Sequence, residues 1–254
     1  MSKKNPKNHN KSNKNHVIYG IHSVKAALLN NKRTHSELIL QENSNFPYEK
    51  FKSNLKKITF LDHKQFKKLY GNQQSTQGIV LITEDYLKPS LEKFIQMENK
   101  NKKSVILVLD QITDPQNIGS IMRSCALFNC KGIIVSKDNS PELTPSLLKA
   151  ASGAAEVVNY FKVTNIRRIL LDLKKKGYWV YGFDSSSKSK SSLNFEKKSV
   201  LVFGSEGKGI RDLIKRECDI FIRLKMEKVS KFEIDSLNVS NASSIALHEF
   251  YNSS

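Results

Sequence analysis

The stretch VILVLDQITDPQNIGSIMRSC, from Val105 to Cys125, decides the fold. Val105 to Leu109 is an unbroken apolar run, the pattern of a parallel strand covered on both faces. Asp114-Pro115 then opens a helix, because Asp caps free N–H groups and Pro fits the first turn. On that helix Ile118, Ile121, Cys125 and Phe128 share one face at spacings of three and four, while Asn117, Ser120, Arg123 and Ser124 fall opposite. A covered strand running into an amphipathic helix is one unit of an α/β domain.

Toward the C-terminus the alternation continues. Gly132 to Val135, Tyr178 to Phe183 and Val200 to Phe203 read as strands, with Ile220 to Leu224 as a further one. Helical segments surround Leu147 and Ile166–Leu173, and a last helix is expected from about Asn238 to Tyr251. Residues 104–254 are therefore expected to form an α/β domain with a mainly parallel sheet. Residues 184–192 (DSSSKSKSS) read as a polar loop of low complexity.

Toward the N-terminus, residues 16–84 read as a small separate α/β domain. Val24, Ala27 and Leu28 have helical spacing, Glu37 to Leu40 reads as a strand, and Phe51 with Leu55 marks a helix. A strand at Ile58 to Leu61, a helix through Phe66 and Leu69, and a strand from Gln77 to Ile82 complete it. Residues 85–103 (DYLKPSLEKFIQMENKNKK) lack a strand pattern and are read as a linker holding one short helix. Residues 1–15 carry five lysines and no apolar periodicity, which predicts a disordered basic arm.

The 254 residues carry a formal charge of +18. That surplus favours a polyanionic partner, since lysines that neutralise phosphates release counterions; a coding bias toward lysine on solvated surface would give the same figure. No run of about 18 apolar residues exists, so no membrane span is expected, and the polar N-terminus is unlike a signal peptide. A cytoplasmic location is the expectation. Cys125, Cys130 and Cys218 form no C-x-x-C pair, and His16, His22, His35, His63 and His248 show no ligand spacing, so no metal is assigned.

Two further motifs follow the first. In LVFGSEGKGI, Leu201 to Ile210, a strand enters a loop with three glycines and one carboxylate, Glu206. The spacing G-x-x-G-x-G is neither the dinucleotide fingerprint nor a P-loop, because Gly209 follows Lys208. In DSLNVSNASS, Asp235 to Ser244, Ser236 is placed to cap the last helix, and Ala242, Ser243 and Ser244 permit close packing or a close ligand. Taken singly, each reads equally well as a solvated helix, a glycine turn or a capped helix.

Together the three resemble the SpoU (TrmH) family of RNA 2′-O-methyltransferases, within the SPOUT superfamily. The matching text is DPQNIGSIMRS, FGSEGKGI and SLNVSNA, and the likeness runs from Val105 to Tyr251. YGIHSVKAAL and TQGIV in the N-terminal domain resemble the ribosomal-protein-like substrate domain of the subgroup that acts on 23S rRNA. The resemblance implies a trefoil-knotted C-terminal domain that binds S-adenosylmethionine, and a homodimer with active sites near the subunit interface. Carried onto this chain, it implies cofactor contacts from Gly204, Leu224, Met226, Ser236 and Leu237, and catalytic roles for Arg123, Asn117, Glu206 and Asn238. The implied reaction moves a methyl group to a ribose 2′-hydroxyl of RNA, a guanosine of 23S rRNA first.

Two features depart from the family pattern: Lys225 stands where a proline is usual, and residues 227–235 (EKVSKFEID) are longer and more charged. Both adjoin the implied cofactor pocket. The alternatives are a tRNA target and, from another class, a catalytically silent RNA-binding protein; the glycine spacing disfavours a nicotinamide-dependent oxidoreductase.

Overall fold

The computed structural model describes residues 15–71, 76–184, 194–227 and 236–253. The first half contains β1 (Asn15–Tyr19), α1 (Ile21–Leu29), β2 (His35–Gln41), β3 (Leu55–Leu61), α2 (His63–Tyr70) and β4 (Ile79–Glu84). Its four strands form one sheet in the order β1-β4-β2-β3, with β4 antiparallel to both neighbours and β2 parallel to β3. Alternation along the strands splits the apolar residues between faces. Leu38, Leu40, Ile79 and Leu81 join Val24 and Leu28 of α1, whereas Ile39 and Val80 meet Phe66 of α2.

The second half begins with α3 (Leu91–Glu98) and β5 (Ser104–Asp110), followed by α4 (Pro115–Leu127), β6 (Gly132–Ser136), α5 (Pro145–Ala150) and β7 (Asn159–Val163). Next come α6 (Ile166–Lys174), β8 (Trp179–Phe183), β9 (Lys198–Gly204), α7 (Asp212–Lys215), β10 (Ile220–Ile222) and α8 (Val239–Asn252). The six strands lie in the order β10-β8-β9-β5-β6-β7, every pair parallel. β5 is central and buried along its whole length, as its apolar run demands. Val105, Leu107 and Leu109 face Ile118 and Ile121 of α4 and Leu247 of α8; Ile106 and Val108 face Phe94 of α3 and Leu170 of α6. The result is three layers with helices on both sides of the sheet.

Several elements differ from the sequence expectation. Phe51 and Leu55 do not share a helix: Tyr48–Asn54 is a 3-10 turn, and Leu55 opens β3. Phe51 is the one buried residue of that turn, stacked on Phe46, which is too little apolar surface to hold a longer helix. Strands β1 and β7 carried no readable pattern, because each is an edge strand and every residue of β7 is only partly covered. The basic arm lies outside the described residues except for Asn15, and so do 185–192 of the polar loop and 228–235 of the charged segment.

His35 opens β2 fully packed, with Nδ1 3.1 Å from the Thr83 hydroxyl. Burial, and then the nearby Arg33 guanidinium, hold its pKa below the ordinary imidazole value. The folded protein thus binds this proton more weakly than the unfolded chain, so stability is lost as pH falls through the ordinary range toward the depressed folded value. Lowering the pH from about 7.5 to about 5.5 is expected to lower Tm, and less so in His35→Gln. An equal slope in both proteins would rule His35 out as the cause.

Candidate active site

Strands β8, β9 and β10 end side by side, and a cavity of about 330 Å³ opens at their carboxyl ends. This is where open parallel sheets hold ligands, since the chain leaves in different directions from neighbouring strands. Phe183 and Phe203 stack at 4.4 Å as part of the wall. All five residues that the resemblance assigned to the cofactor line it: Gly204, Leu224, Met226, Ser236 and Leu237. Glu206 lines it too, as do Val239 and Ala242 from the start of α8. Lys225 is exposed between its two lining neighbours, so a change from proline there alters backbone and not the cavity wall.

The glycine loop is held closed by its own backbone and by one buried charge. Ser205 and Gly209 exchange two hydrogen bonds, of 3.2 and 2.8 Å, across the turn. Gly207 and Gly209 have φ of +82° and +67°, which a side chain rarely adopts. Gly204 has a different reason to be glycine: a Cβ there would lie 2.0 Å from the Gly209 backbone. Asp110, paired with Gly204 across β5 and β9, is wholly buried and takes the Arg211 backbone N–H at 3.0 Å and its guanidinium at 2.7 Å. That pair ties the exit of the loop back to the central strand. Sequence reading passed over Asp110 and Arg211, because a charged residue at a strand end has no pattern until its partner, 101 positions away, is known.

Three polar side chains from the three motifs meet at the rim. Asn238 Nδ2 donates to Asn117 Oδ1 at 3.0 Å and to Glu206 Oε1 at 3.1 Å, and Asn117 Nδ2 reaches the same Glu206 oxygen at 3.4 Å. Asn238, and not Ser236, caps α8: its Oδ1 accepts from the backbone N–H of Ser240 at 2.8 Å. Ser236 falls two residues before the cap and lines the cavity.

Arg123 does not join this cluster. It is exposed on α4, makes no hydrogen bond or ion pair among the described residues, and does not line the cavity. The helix is locked to α8 beside it by a 2.7 Å bond between the Ser124 and Ser244 hydroxyls.

The lining suits S-adenosylmethionine. Apolar and aromatic walls offer a flat ring a dry surface, the Gly204 backbone lets a ligand approach closely, and the Glu206 carboxylate stands on the side of a cationic sulfonium and ammonium group. Among the described residues no cluster of His, Cys, Asp or Glu could hold a metal ion, and no helix is long and apolar enough to cross a membrane.

Comparison with known proteins agrees with this geometry. Residues 104–248 match the SpoU rRNA Methylase family, and residues 17–89 match the RNA 2′-O ribose methyltransferase substrate binding domain. The 23S rRNA (guanosine-2′-O-)-methyltransferase RlmB of Neisseria meningitidis is 32% identical over 238 residues, 91% of this chain and 93% of that protein. YacO of Bacillus subtilis, provisionally named a TrmH family tRNA/rRNA methyltransferase, is 34% identical over 196 residues, 76% of each chain. The fold is that of the SpoU methyltransferase AviRb from Streptomyces viridochromogenes, solved in complex with the cofactor AdoMet: TM-score 0.75 at 17% identity, covering 92% of this chain and 88% of that one. The chain belongs to the SpoU rRNA methylase family of S-adenosylmethionine-dependent RNA ribose 2′-O-methyltransferases, with the family's substrate-binding domain at its N-terminus.

Proposed function

We propose that this enzyme methylates the ribose 2′-hydroxyl of a guanosine in 23S rRNA, in the cytoplasm, as a homodimer. The observation that carries the chemistry is the convergence of three sequence-distant motifs on one cavity and its rim. The likeness to RlmB over both domains supports the rRNA target; the double name of YacO keeps tRNA as the second reading. The proposed division is a basic arm at 1–15, an RNA-binding domain at 16–84, a linker at 85–103 and the methyltransferase domain at 104–254. The trefoil knot that the resemblance implies belongs to this reading.

In this reading Gly204, Leu224, Met226, Ser236 and Leu237 hold S-adenosylmethionine. Once bound, it supplies an electrophilic methyl group to the ribose oxygen. The walls exclude water, and most of the acceleration comes from aligning the incoming hydroxyl in the cavity mouth. Asn117, Glu206 and Asn238 orient groups there, each fixed by the other two. A guanidinium is a poor proton acceptor, so Arg123 is assigned to the developing alkoxide and a neighbouring phosphate.

Arg123 lies outside its own cavity, which favours a role across a dimer interface. Its helix face continues into Leu127, and the adjoining face of α8 shows Ile245 and Tyr251; these three are 75%, 41% and 54% exposed. A second copy covering that face would shield them and bring Arg123 to the partner's cavity.

Four outcomes test these assignments. Tritium transfer from S-adenosylmethionine is expected to label total rRNA above total tRNA, and the reverse would move the target to tRNA. Gly204→Ala is expected to abolish S-adenosylmethionine binding in calorimetry, because the added Cβ overlaps the loop backbone. Arg123→Lys keeps the charge but loses the planar fork, and should lower kcat roughly 10²- to 10³-fold with unchanged cofactor affinity. Mixing inactive Arg123→Ala with inactive Gly204→Ala should restore activity if the arginine acts across the interface; no recovery in a confirmed mixed dimer would place it in its own subunit.

A further inference from the structure

We infer that Glu156 is a positioning residue that holds the substrate-binding domain at a fixed span from the methyl-donor cavity, and so helps select the nucleotide that is methylated. The inference rests on the rRNA methyltransferase reading above. Glu156 lies in a 3-10 turn, Ala154–Glu156, that packs against both the active-site helix α4 and α1 of the first half. The turn receives groups from two separate parts of the first half of the chain.

Arg33, just before β2, forks onto it: Nε donates to Glu156 Oε2 at 2.8 Å and a terminal nitrogen donates to Oε1 at 2.9 Å. Both side chains are out of water, 5% and 8% exposed. Asn30 at the end of α1 donates to the same carboxylate at 2.6 Å. From the segment after β4, the Tyr86 hydroxyl donates to Glu156 O at 3.1 Å, and Lys88 Nζ donates to Ala155 O at 2.8 Å. Arg33 also lies 4.7 Å over the Tyr86 ring. The start of the segment read as a linker is therefore fastened down. A buried, bidentate charge pair with a third donor on the same carboxylate is a rigid contact, and one expensive to open.

Close packing carries this joint to the catalytic helix without slack. A Cβ at Gly153 would lie 2.5 Å from Ala26 Cβ of α1, and a Cβ at Gly119 would lie 2.4 Å from Ala150 Cβ. Gly119 is on α4, between Asn117 and Arg123. The two near-contacts are joined by residues 150–153 alone. None of the joint residues lines the donor cavity.

A cavity of about 470 Å³ adjoins the joint, and each polar side chain lining it already has a partner within the protein. Tyr160 already donates to Pro141 O, Lys162 to Ser140 O and Glu142, and Lys88 to Ala155 O. We read it as part of the joint.

The physical consequence concerns RNA and not chemistry. An RNA that touches both domains gains from their being held together, because the second contact becomes intramolecular and pre-positioned. The test compares the full-length wild type with Glu156→Ala and with a double variant, Tyr86→Phe and Lys88→Met, which removes two donors and leaves the buried ion pair. Small-angle scattering reads the joint itself, calorimetry reads cofactor affinity, and steady-state kinetics with 2′-O-methyl mapping reads the rRNA reaction.

For Glu156→Ala the radius of gyration should rise and the KM for rRNA should increase roughly 10- to 100-fold, with methylation spreading to further nucleotides. Cofactor affinity and kcat at saturating RNA should stay within about two-fold of the wild type. The double variant should shift in the same direction by less. An unchanged KM and methylation map, or a parallel loss of cofactor affinity, would overturn the inference. A wild type that labels no rRNA would refute the function reading instead, and the scattering comparison would still judge the joint.

Discussion

Asp110 ends the central strand with its carboxylate wholly out of water, and Arg211 meets both oxygens with its backbone N–H and its guanidinium. A carboxylate removed from solvent is tolerated only with such a partner, here a guanidinium that is itself half exposed. The geometry explains why the pair is placed here. Asp110 ends β5 opposite Gly204, and Arg211 follows the last glycine of the loop, so both ends of SEGKGI are fixed to one point. Glu206 hangs from the middle of that loop, and Asn117 and Asn238 are drawn to it. Cavity floor, rim and the two helices that flank them all take their positions from the end of one strand.

The helices follow from the same sheet. α4 leaves the end of β5 and α8 packs beside it, with the Ser124–Ser244 bond, small residues and Leu247 closing the contact. This leaves Arg123, Leu127, Ile245 and Tyr251 exposed, away from the cavity. One side of α4 thus serves the sheet core and another supplies Asn117 to the cavity rim, while Arg123 looks outward. Its amphipathic pattern describes the first of these and is silent on the difference between the other two.

The joint between the halves works by different means. Its apolar contacts are close, and its polar ones come from one carboxylate, one guanidinium and a short run of backbone carbonyls. Such contacts are directional and so fix geometry as well as adding stability. The excess of 18 positive charges acts at longer range, gathering a polyanion before any particular contact is made.

By itself the sequence determined the local elements and the chemistry they were for. Val105 to Leu109 had to be a covered strand and Asp114-Pro115 a helix start, because run length, capping and fixed φ are properties of neighbouring residues. The three motifs named a methyl transfer through their resemblance to a family, and the five cofactor positions it assigned do share one cavity. Tertiary structure decided what depends on partners far along the chain. It showed that Asp110 needs Arg211, that Asn238 caps α8 in place of Ser236, that Phe51 ends in a 3-10 turn, that β1 and β7 are strands at all, and that Arg123 stands apart from the rim. Glu156 belongs with these: one acid in AAEVV has no visible meaning until folding brings Arg33 to it across 123 positions. Periodicity and capping act within a few turns of chain, whereas a buried ion pair, an edge strand or a domain joint is defined only by what arrives from elsewhere.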